Sequence, residues 1–281
     1  MAKEFICFLA EKEASLADFC KVTPALTFLH HSQGHSSEPT VKDSYVQLLL
    51  SGGKREAAAR KSRPKKATCL SKPEIYRIVT GLWPGGINVL DPAVDLISWR
   101  TTVKIYTMYR SWCWWDGYSR LTSEDIIIED DSVTISFVRA KNDQYYSGTS
   151  CLLPILGHNN VMCPKLIYET YFQVMNFTKS PGELLNCRIA NRDGIQKAKP
   201  QEKLSYTTSM ENSKSLLGKF GLQGMYSEKS FKVAGVSEAF NQGISVEDAM
   251  FHGRWRSLET PGIYCHQSKK KRLDISNYTT S

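Results

Sequence analysis

The stretch from Lys229 to Tyr264 constrains this chain more than any other part of the sequence. It places basic side chains at Lys229, Lys232 and Arg254 and follows them with Tyr264. Helices are predicted at 230–241 and 246–252, between these side chains. The residue types fit phosphodiester cleavage, because cations hold the non-bridging oxygens while a hydroxyl attacks in line. A tyrosine suits the attack, since its phenol, with a pKa of about 10, leaves more readily than an alkyl hydroxyl when the step reverses.

This stretch resembles the active site of the tyrosine recombinases, the phage-integrase-type enzymes that break and join DNA. The resemblance is to the branch of this family found in eukaryotic mobile elements, such as DIRS-type retrotransposons and Cryptons. Members of this branch share three sequence motifs, called boxes, and a nucleophilic tyrosine. The third box and the nucleophile are similar to residues 252–257 (His-Gly-Arg-Trp-Arg-Ser), with Glu259-Thr-Pro and Tyr264. The resemblance covers about residues 40–273. It implies that Arg254 contacts the scissile phosphate and that Tyr264 forms a 3′-phosphotyrosyl intermediate, with no metal, nucleotide or other cofactor.

Other segments extend the resemblance in the same order as in the family. Lys229-Ser-Phe-Lys232 aligns with the second box, which is usually His-x-x-Arg. Lys141 falls in the turn of a predicted strand pair, where the family keeps a lysine that protonates the leaving oxygen. Residues 114–126 resemble the first box, typically Arg-x-x-Glu-Leu, and Cys163-Pro164 falls where the family often has Cys-Pro before a helix. The implied catalytic set is therefore Tyr264, Arg254, Lys232, Lys229 and Lys141.

The chain departs from the family pattern at the positions that bind phosphate. Trp114 stands in place of the first-box arginine, Gly117 in place of its glutamate, and Lys229 and Lys232 in place of the second-box histidine and arginine. Losing one preorganised donor costs roughly 2.7–4 kcal/mol of transition-state stabilisation. Impaired cleavage is therefore predicted. Arg110, which precedes Trp114 by one helical turn, is a candidate substitute donor.

The implied site residues also have structural alternatives. Tyr264 is one of 13 tyrosines and has the alternative of packing in the core. Lys229 and Lys232 also fit an exposed helix face, and Lys141 fits a solvated turn. The tryptophans around Trp114 are interpreted as core side chains in preference to a base-stacking surface.

The charge of the chain indicates a polyanionic partner. The formal net charge is +8, which fits double-stranded DNA, with a merely soluble basic protein as the alternative. Residues 54–66 contain seven basic residues and one acid, and they are either a strap along the DNA backbone or a solvated linker. The candidate DNA-binding residues are Lys54, Arg55, Arg60, Lys61, Arg63, Lys65 and Lys66.

Several other classes of protein are disfavoured by the sequence. The eight cysteines include no Cys-x-x-Cys pair, which argues against zinc and for reduced thiols inside the cell. The apolar run Phe5–Ala10 is too short for a secretory leader, and no apolar run is long enough for a membrane span. Together with the resemblance to eukaryotic elements, these features predict a nuclear protein with no membrane partner and no small-molecule substrate.

The pattern of the chain predicts a mostly helical α+β fold. Helices are expected at 4–20, from Pro24, and at 41–50, 71–79, 103–115, 164–175 and 205–218, and strands at 133–138 and 150–153. The predicted domains are 1–66, a short helical DNA-grasping segment, and 67–281, a tyrosine-recombinase-like catalytic domain with a small antiparallel sheet. The first is brief beside the family's usual four- or five-helix domain, which is consistent with truncation.

The function predicted from these features is DNA recombination or integration, by a protein of transposable-element type that self-associates on DNA. The alternative is a domesticated, catalytically inactive module that binds DNA or other proteins. The missing arginines favour this alternative for the cleavage step, while the basic residues predict DNA as a partner in both cases.

Overall fold

The computed structural model describes residues 2–34, 42–60, 68–83, 95–137, 148–157 and 160–265. Contacts divide the chain into two compact units, Met1–Lys66 and Ala67–Ser281. Each unit contains its own apolar core. Within the described ranges, no helix is long and apolar enough to cross a membrane.

The first unit is built from helices α1 (Ala2–Glu11), α2 (Leu16–Ser32) and α3 (Ser44–Arg60). All three helices contribute buried apolar side chains to one cluster, which consists of Ile6, Phe19, Val22, Val46, Leu50 and Ala57. Helix α3 extends through residue 60, so the first part of the basic run at 54–66 is helical rather than an extended linker. Residues 61–66 lie outside the described residues.

The start of α2 corrects the prediction of one helix at 4–20 and a second from Pro24. The Ser15 hydroxyl accepts a hydrogen bond from the backbone N–H of Asp18, and the Asp18 carboxylate accepts one from the backbone N–H of Ser15. This reciprocal cap satisfies N–H groups that the first helical turn leaves unpaired, so α2 begins at Leu16. Pro24 lies inside the helix.

The second unit is mainly helical around a buried central helix, α5. Its helices are α4 (Lys72–Thr80), α5 (Leu96–Ser111), α6 (Trp115–Tyr118), α7 (Pro164–Met175), α8 (Tyr206–Lys219), α9 (Glu228–Asn241), α10 (Val246–Gly253) and α11 (Glu259–Tyr264). Helix α5 is buried along nearly its whole length and packs against α4, α7, α8 and α9. A helix in this region is therefore confirmed, but the predicted range 103–115 is wrong at both ends. The helix starts earlier because Asp95 caps it, and it ends at Ser111 because Trp112 adopts a left-handed conformation with φ 51°.

A three-stranded antiparallel sheet lies beside these helices. Its strands are β1 (Ile126–Ile128), β2 (Ser132–Phe137) and β3 (Thr149–Pro154), in the order β1-β2-β3. The predicted strand pair is confirmed, and its register places Phe137 opposite Thr149. The connection that contains Lys141 falls outside the described residues.

A second, two-stranded sheet was not predicted. Strands β4 (Cys187–Arg192) and β5 (Ile195–Lys203) form an antiparallel hairpin. Asp193 and Gly194 form its turn with φ values of 52° and 82°. An Asp-Gly pair at two positive φ angles is the usual signal for a tight hairpin turn. With this addition, the predicted α+β, mostly helical class is confirmed.

Candidate active site

A buried ammonium surrounded by aromatic rings forms the centre of the candidate site. The Nζ atom of Lys232, on α9, lies 4.7 Å from the ring centroid of Trp114, 4.8 Å from that of Trp255 and 5.4 Å from that of Tyr264. Lys232 is only 1% exposed. Among the described residues, no carboxylate lies within salt-bridge distance of this ammonium. The faces of the rings are its main favourable electrostatic contacts. We call Lys232 with these three rings the aromatic cage.

The surroundings of Lys232 disfavour its charged form. Burial lowers its pKa from 10.5 to about 7, and the positive charges of Arg254 and Lys229 lower it further, while Cys113 acts in the opposite direction. An anion placed beside Lys232 would stabilise the ammonium and reverse part of this shift. The site is therefore short of negative charge as it stands.

Close packing fixes the position of α9 against α5. A Cβ atom on Gly235 would lie 2.0 Å from the carbonyl oxygen of Tyr109, so only glycine permits this crossing. At the start of α9, Glu228 accepts a 2.6 Å hydrogen bond from the buried ammonium of Lys104. Lys104 also donates to the backbone oxygen and hydroxyl of Ser209 on α8. These contacts hold the first turns of α9, and with them the lysines that this helix carries.

Arg254 links the end of α10 to the end of α5. It adopts a left-handed conformation with φ 55°. Its guanidinium donates to the carbonyl oxygens of His252 at 3.0 Å and Ser111 at 2.6 Å and lies 4.5 Å from the ring centroid of Phe137. These bonds satisfy a carbonyl at the C-terminus of α5, which a helix leaves unpaired. The other N–H groups of the Arg254 guanidinium can donate hydrogen bonds to a further oxygen atom.

His252 supports the same junction. Its Nε2 atom lies 2.8 Å from the carbonyl oxygen of Arg110, and its ring lies against Trp112 with centroids 4.4 Å apart. Burial lowers the pKa of His252, although its bond to the Arg110 carbonyl acts in the opposite direction. The third-box segment therefore caps α5 through two successive carbonyl groups, at positions 110 and 111.

Tyr264 ends the short helix α11 and closes one side of the aromatic cage. Its ring stacks on Trp255 with centroids 5.6 Å apart and planes 2° apart, and it meets the Trp114 ring edge-on at 5.5 Å. The Nζ atom of exposed Lys229 lies 5.0 Å from its centroid. The backbone carbonyl of Tyr264 accepts a 3.4 Å hydrogen bond from the Ser237 hydroxyl. Burial raises the pKa of its phenol, so the ring needs a base or a neighbouring cation for activation.

The structure groups several of the residues that the sequence singled out. Lys229, Lys232 and Tyr264 meet beside Trp114, and the charge of Arg254 acts on Lys232. The position of Lys141 is not among those described. Within the described ranges, no group of histidine, cysteine and acidic side chains is arranged to hold a metal ion.

Arg110 does not occupy the role that its position in the sequence suggested. Its guanidinium lies 6.0 Å from the ring centroid of Tyr106. It lines a different pocket, together with Leu153 and Met162. The expectation that it shares the space of Trp114 depends on a helix that continues through position 114, whereas α5 ends three residues earlier, at Ser111.

The candidate DNA-binding residues of the first unit are described only in part. Lys54 is half-buried and Arg55 is exposed on α3, and Arg60 is the last residue of that helix. The other four, Lys61, Arg63, Lys65 and Lys66, lie outside the described residues.

Trp255 is a site residue that the sequence reasoning missed as a functional side chain. It was recognised within the third-box motif, but not as the ring that stacks on Tyr264 and faces Lys232. Its position directly after Gly253-Arg254 is the signal that could have identified it. Gly253 itself leaves room for this ring, because an added Cβ would lie 2.5 Å from it.

The overall fold is that of the tyrosine-recombinase catalytic domain. The chain is similar over 77% of its length to XerH site-specific recombinase bound to a palindromic difH substrate in a post-cleavage complex, with a TM-score of 0.55 and 12% identity. It spans 54% of that XerH chain. It is also similar over its whole length to the Tn1549 transposon integrase (amino acids 82–397, with one tyrosine replaced by phenylalanine) in complex with transposon right end DNA, with a TM-score of 0.53 and 10% identity. The similarity covers 84% of that solved chain.

XerA recombinase is a third solved structure of this fold. The similarity covers 94% of this chain and 83% of XerA, with a TM-score of 0.51 and 10% identity. No family model and no curated protein sequence matches the chain. At these identities, the similarity establishes the fold.

Proposed function

We propose that this protein binds double-stranded DNA and breaks one strand through a 3′-phosphotyrosyl intermediate at Tyr264, at a rate reduced by its altered cation set. The observation that carries the proposal is the placement of a tyrosine beside two lysines at the end of α5. Lys229 and Lys232 both lie within 5.4 Å of the Tyr264 ring centroid. The solved structures of XerH and the Tn1549 integrase contain DNA, and their fold is shared by this chain.

A phosphate at this site would meet positive charge from more than one direction. Lys229 is exposed and able to approach a non-bridging oxygen, and Arg254 has free N–H groups beside its backbone bonds. The phosphate charge would also raise the pKa of Lys232 from about 7, which favours its ammonium form. Attack by the Tyr264 oxygen would form its bond to phosphorus and break the bond from phosphorus to the 5′ sugar oxygen, with the phenol proton released to solvent. Lys141 is the proposed donor of a proton to the leaving 5′ oxygen.

The expected rate is low because positions 114 and 232, where the sequence resemblance predicts arginine, carry no guanidinium group. Trp114 offers no N–H fork to phosphate, and Lys232 offers a single point charge. Each missing donor is associated with a loss of about 10²–10³ in rate, and such losses are not additive in general. We therefore propose slow cleavage rather than efficient turnover.

The finer features of the proposal follow from the sequence resemblance. The run His-Gly-Arg-Trp-Arg-Ser at 252–257 supports a branch similar to DIRS-type or Crypton recombinases, and hence a role in DNA integration by a eukaryotic transposable element. On this proposal the protein is nuclear and assembles with further copies of itself on DNA. Residues 1–66 grasp the DNA, and residues 67–281 carry the chemistry.

A catalytically inactive module that binds DNA or another protein is the second candidate. The observation that favours it is the position of Trp114, whose ring contacts both Lys232 and Tyr264. An indole ring at this position offers a phosphate no guanidinium donor. DNA binding without cleavage would preserve the basic surface and dispense with the chemistry.

Detection of a covalent adduct distinguishes the two candidates. The full chain would be incubated with a fluorescent pool of randomised duplexes, each nicked so that the released fragment diffuses away. A denaturing gel should show a labelled protein band that is lost in Tyr264→Phe. Tyr76→Phe is the matched control, because Tyr76 is 49% exposed on α4 and contributes nothing to the cage. DNA binding without any adduct would favour the inactive module, and absence of DNA binding would contradict both DNA-based candidates.

A further inference from the structure

The β4–β5 hairpin presents a basic face that the sequence analysis did not identify. Its register pairs Arg188 with Lys199, Ala190 with Lys197, and Arg192 with Ile195. Directly opposed residues of an antiparallel pair project from the same face. The exposed face therefore carries Arg188, Ala190, Arg192, Ile195, Lys197 and Lys199.

The opposite face anchors the hairpin to the second unit. Ile189 and Ala198, which are paired with each other, pack against the main apolar core. Gln196 accepts a hydrogen bond from the backbone N–H of Ile97 at 3.3 Å and donates one to Asp95 at 3.2 Å. The orientation of the hairpin is thus fixed by the start of α5, which leaves the basic face toward solvent.

Most of the charge on this face is available to an external anion. Among the described residues, Arg192, Lys197 and Lys199 have no carboxylate within salt-bridge distance. Arg188 does have such a partner, since it pairs with Glu202 at 3.0 Å. Exposed cations that lack an ion-pair partner raise the local positive potential. Binding of a polyanion reduces the repulsion between them.

The spacing of the cations suits a nucleic-acid backbone. Lys197 and Lys199 are separated by two strand residues, or about 6.8 Å. This is twice the axial spacing of about 3.4 Å between phosphates along one DNA strand. A two-stranded ribbon is also narrow enough to follow or enter the major groove, which is about 12 Å wide.

The hairpin is continuous with the candidate active site. Lys203, at the end of β5, lines a cleft of about 370 Å³ together with Arg120, Gly117 and Phe137. The guanidinium of Arg254 lies over the ring of Phe137 on β2. A duplex whose phosphate lies at Arg254 could therefore continue along this cleft toward the hairpin.

We propose that the outer face of the β4–β5 hairpin is a second contact surface for the phosphate backbone of double-stranded DNA. The inference rests on the proposed function, because it assumes that DNA is bound at the Tyr264 site. The hairpin holds the duplex beside that site and contributes affinity without reading sequence. It acts through charge, so its contribution falls as salt rises.

The salt dependence of DNA binding tests this surface directly. Binding of the full chain to a fluorescent duplex of random sequence would be measured at increasing salt for the wild type and for Lys197→Gln with Lys199→Gln. Each phosphate contact contributes about 0.9 to the slope of log K against log salt. The double variant is therefore expected to bind more weakly at low salt and to have a slope shallower by roughly 1.8.

A matched control variant separates loss of charge from damage to the hairpin. Lys197→Arg with Lys199→Arg changes the same two side chains but keeps both positive charges. It should retain the wild-type slope, and circular dichroism should show that both double variants are folded.

The outcomes distinguish failure of this inference from failure of the proposed function. Wild-type binding with an unchanged slope in Lys197→Gln with Lys199→Gln would overturn only the role of the hairpin. Absence of DNA binding by the wild type would overturn the proposed function, and the hairpin inference with it. An equal loss of slope in Lys197→Arg with Lys199→Arg would also overturn the inference, because the effect would then not come from the charge of these side chains.

Discussion

Replacement of Lys232 by methionine should change how the stability of the protein depends on pH. Burial lowers the pKa of Lys232 from 10.5 to about 7. The unfolded chain therefore binds more protons than the folded chain between these values, so stability rises with pH in this window and is lost as pH falls toward 7. At about 1.4 kcal/mol for each pKa unit, the full penalty below pH 7 is roughly 5 kcal/mol.

The aromatic cage offsets part of that penalty. Each cation–π contact favours the ammonium by about 0.5–2 kcal/mol, and Lys232 makes three. We therefore expect Lys232→Met to be the more stable protein near neutral pH. Its advantage over the wild type should shrink by about 1–3 kcal/mol between about pH 7.5 and 9.5. Lys104, whose pKa burial lowers to about 8, adds a similar trend, but it does so equally in both proteins.

Denaturant unfolding at several pH values measures this difference. Lys214→Met is the matched control, because it removes the same charge from an exposed position on α8, and Lys214 is not among the groups that shift the pKa of Lys232. The control should retain the wild-type dependence on pH. Parallel stability curves for the wild type and Lys232→Met would refute the reasoning, since they would show that the ammonium at position 232 is not desolvated.

Two further predictions concern activity and DNA binding. Introducing arginine at the two positions where the sequence resemblance predicts it, as Trp114→Arg with Lys232→Arg, should raise adduct formation at Tyr264 by about 10²-fold or more. A folded double variant that forms no more adduct on a denaturing gel would contradict the explanation that cleavage is impaired by the lack of these guanidinium groups. Folding must be verified by circular dichroism, because an unpaired buried arginine destabilises by several kcal/mol. Neutralising five basic residues of the 54–66 run should make the slope of log K against log salt for DNA binding shallower by up to about 4.5. The five residues are Arg60, Lys61, Arg63, Lys65 and Lys66. An unchanged slope would show that the run is solvated and does not contact DNA.

Elements with a strong local signal could be predicted from the sequence. The alternation of Val133-Thr-Ile-Ser-Phe predicts β2, and apolar periodicity predicts α7, α8, α9 and α10 to within two residues at each end. The Asp193-Gly194 pair was an equally clear signal for the β4–β5 turn, but the flanking lysines lack the apolar alternation of a half-buried strand. Polar strands of this kind are recognised by their turn rather than by their periodicity.

The end of α5 illustrates what local sequence could not provide. Nothing in the apolar run up to Trp115 marks Ser111 as the last helical residue, and tryptophan is an unusual choice for a left-handed C-cap. The conformation is stabilised by partners more than a hundred residues away, namely the side chains of His252 and Arg254, which bind the terminal carbonyl groups. Such long-range capping is visible only in the folded chain. For the same reason, the position of the Arg110 side chain beside Tyr106 could not be predicted from the sequence.

The side chains at positions 114 and 232 are physically coupled. They are in contact, with the Lys232 ammonium 4.7 Å from the Trp114 ring. An arginine at 114 would place a second cation beside an ammonium that already lacks a carboxylate among the described residues, and the repulsion between them would be strong in a buried setting. Tryptophan removes this repulsion and presents the negative face of its ring instead.

This coupling bears on both candidate functions. With Trp114 in place, aromatic faces partly compensate the Lys232 ammonium in the absence of an anion. An arginine at position 114 would create a need for an anion, so Trp114→Arg alone should be destabilised in the free protein and stabilised by duplex DNA more than the wild type is. Thermal unfolding with and without duplex measures this stabilisation. A rise in melting temperature with duplex no larger than the rise measured for the wild type would place the bound phosphate away from position 114.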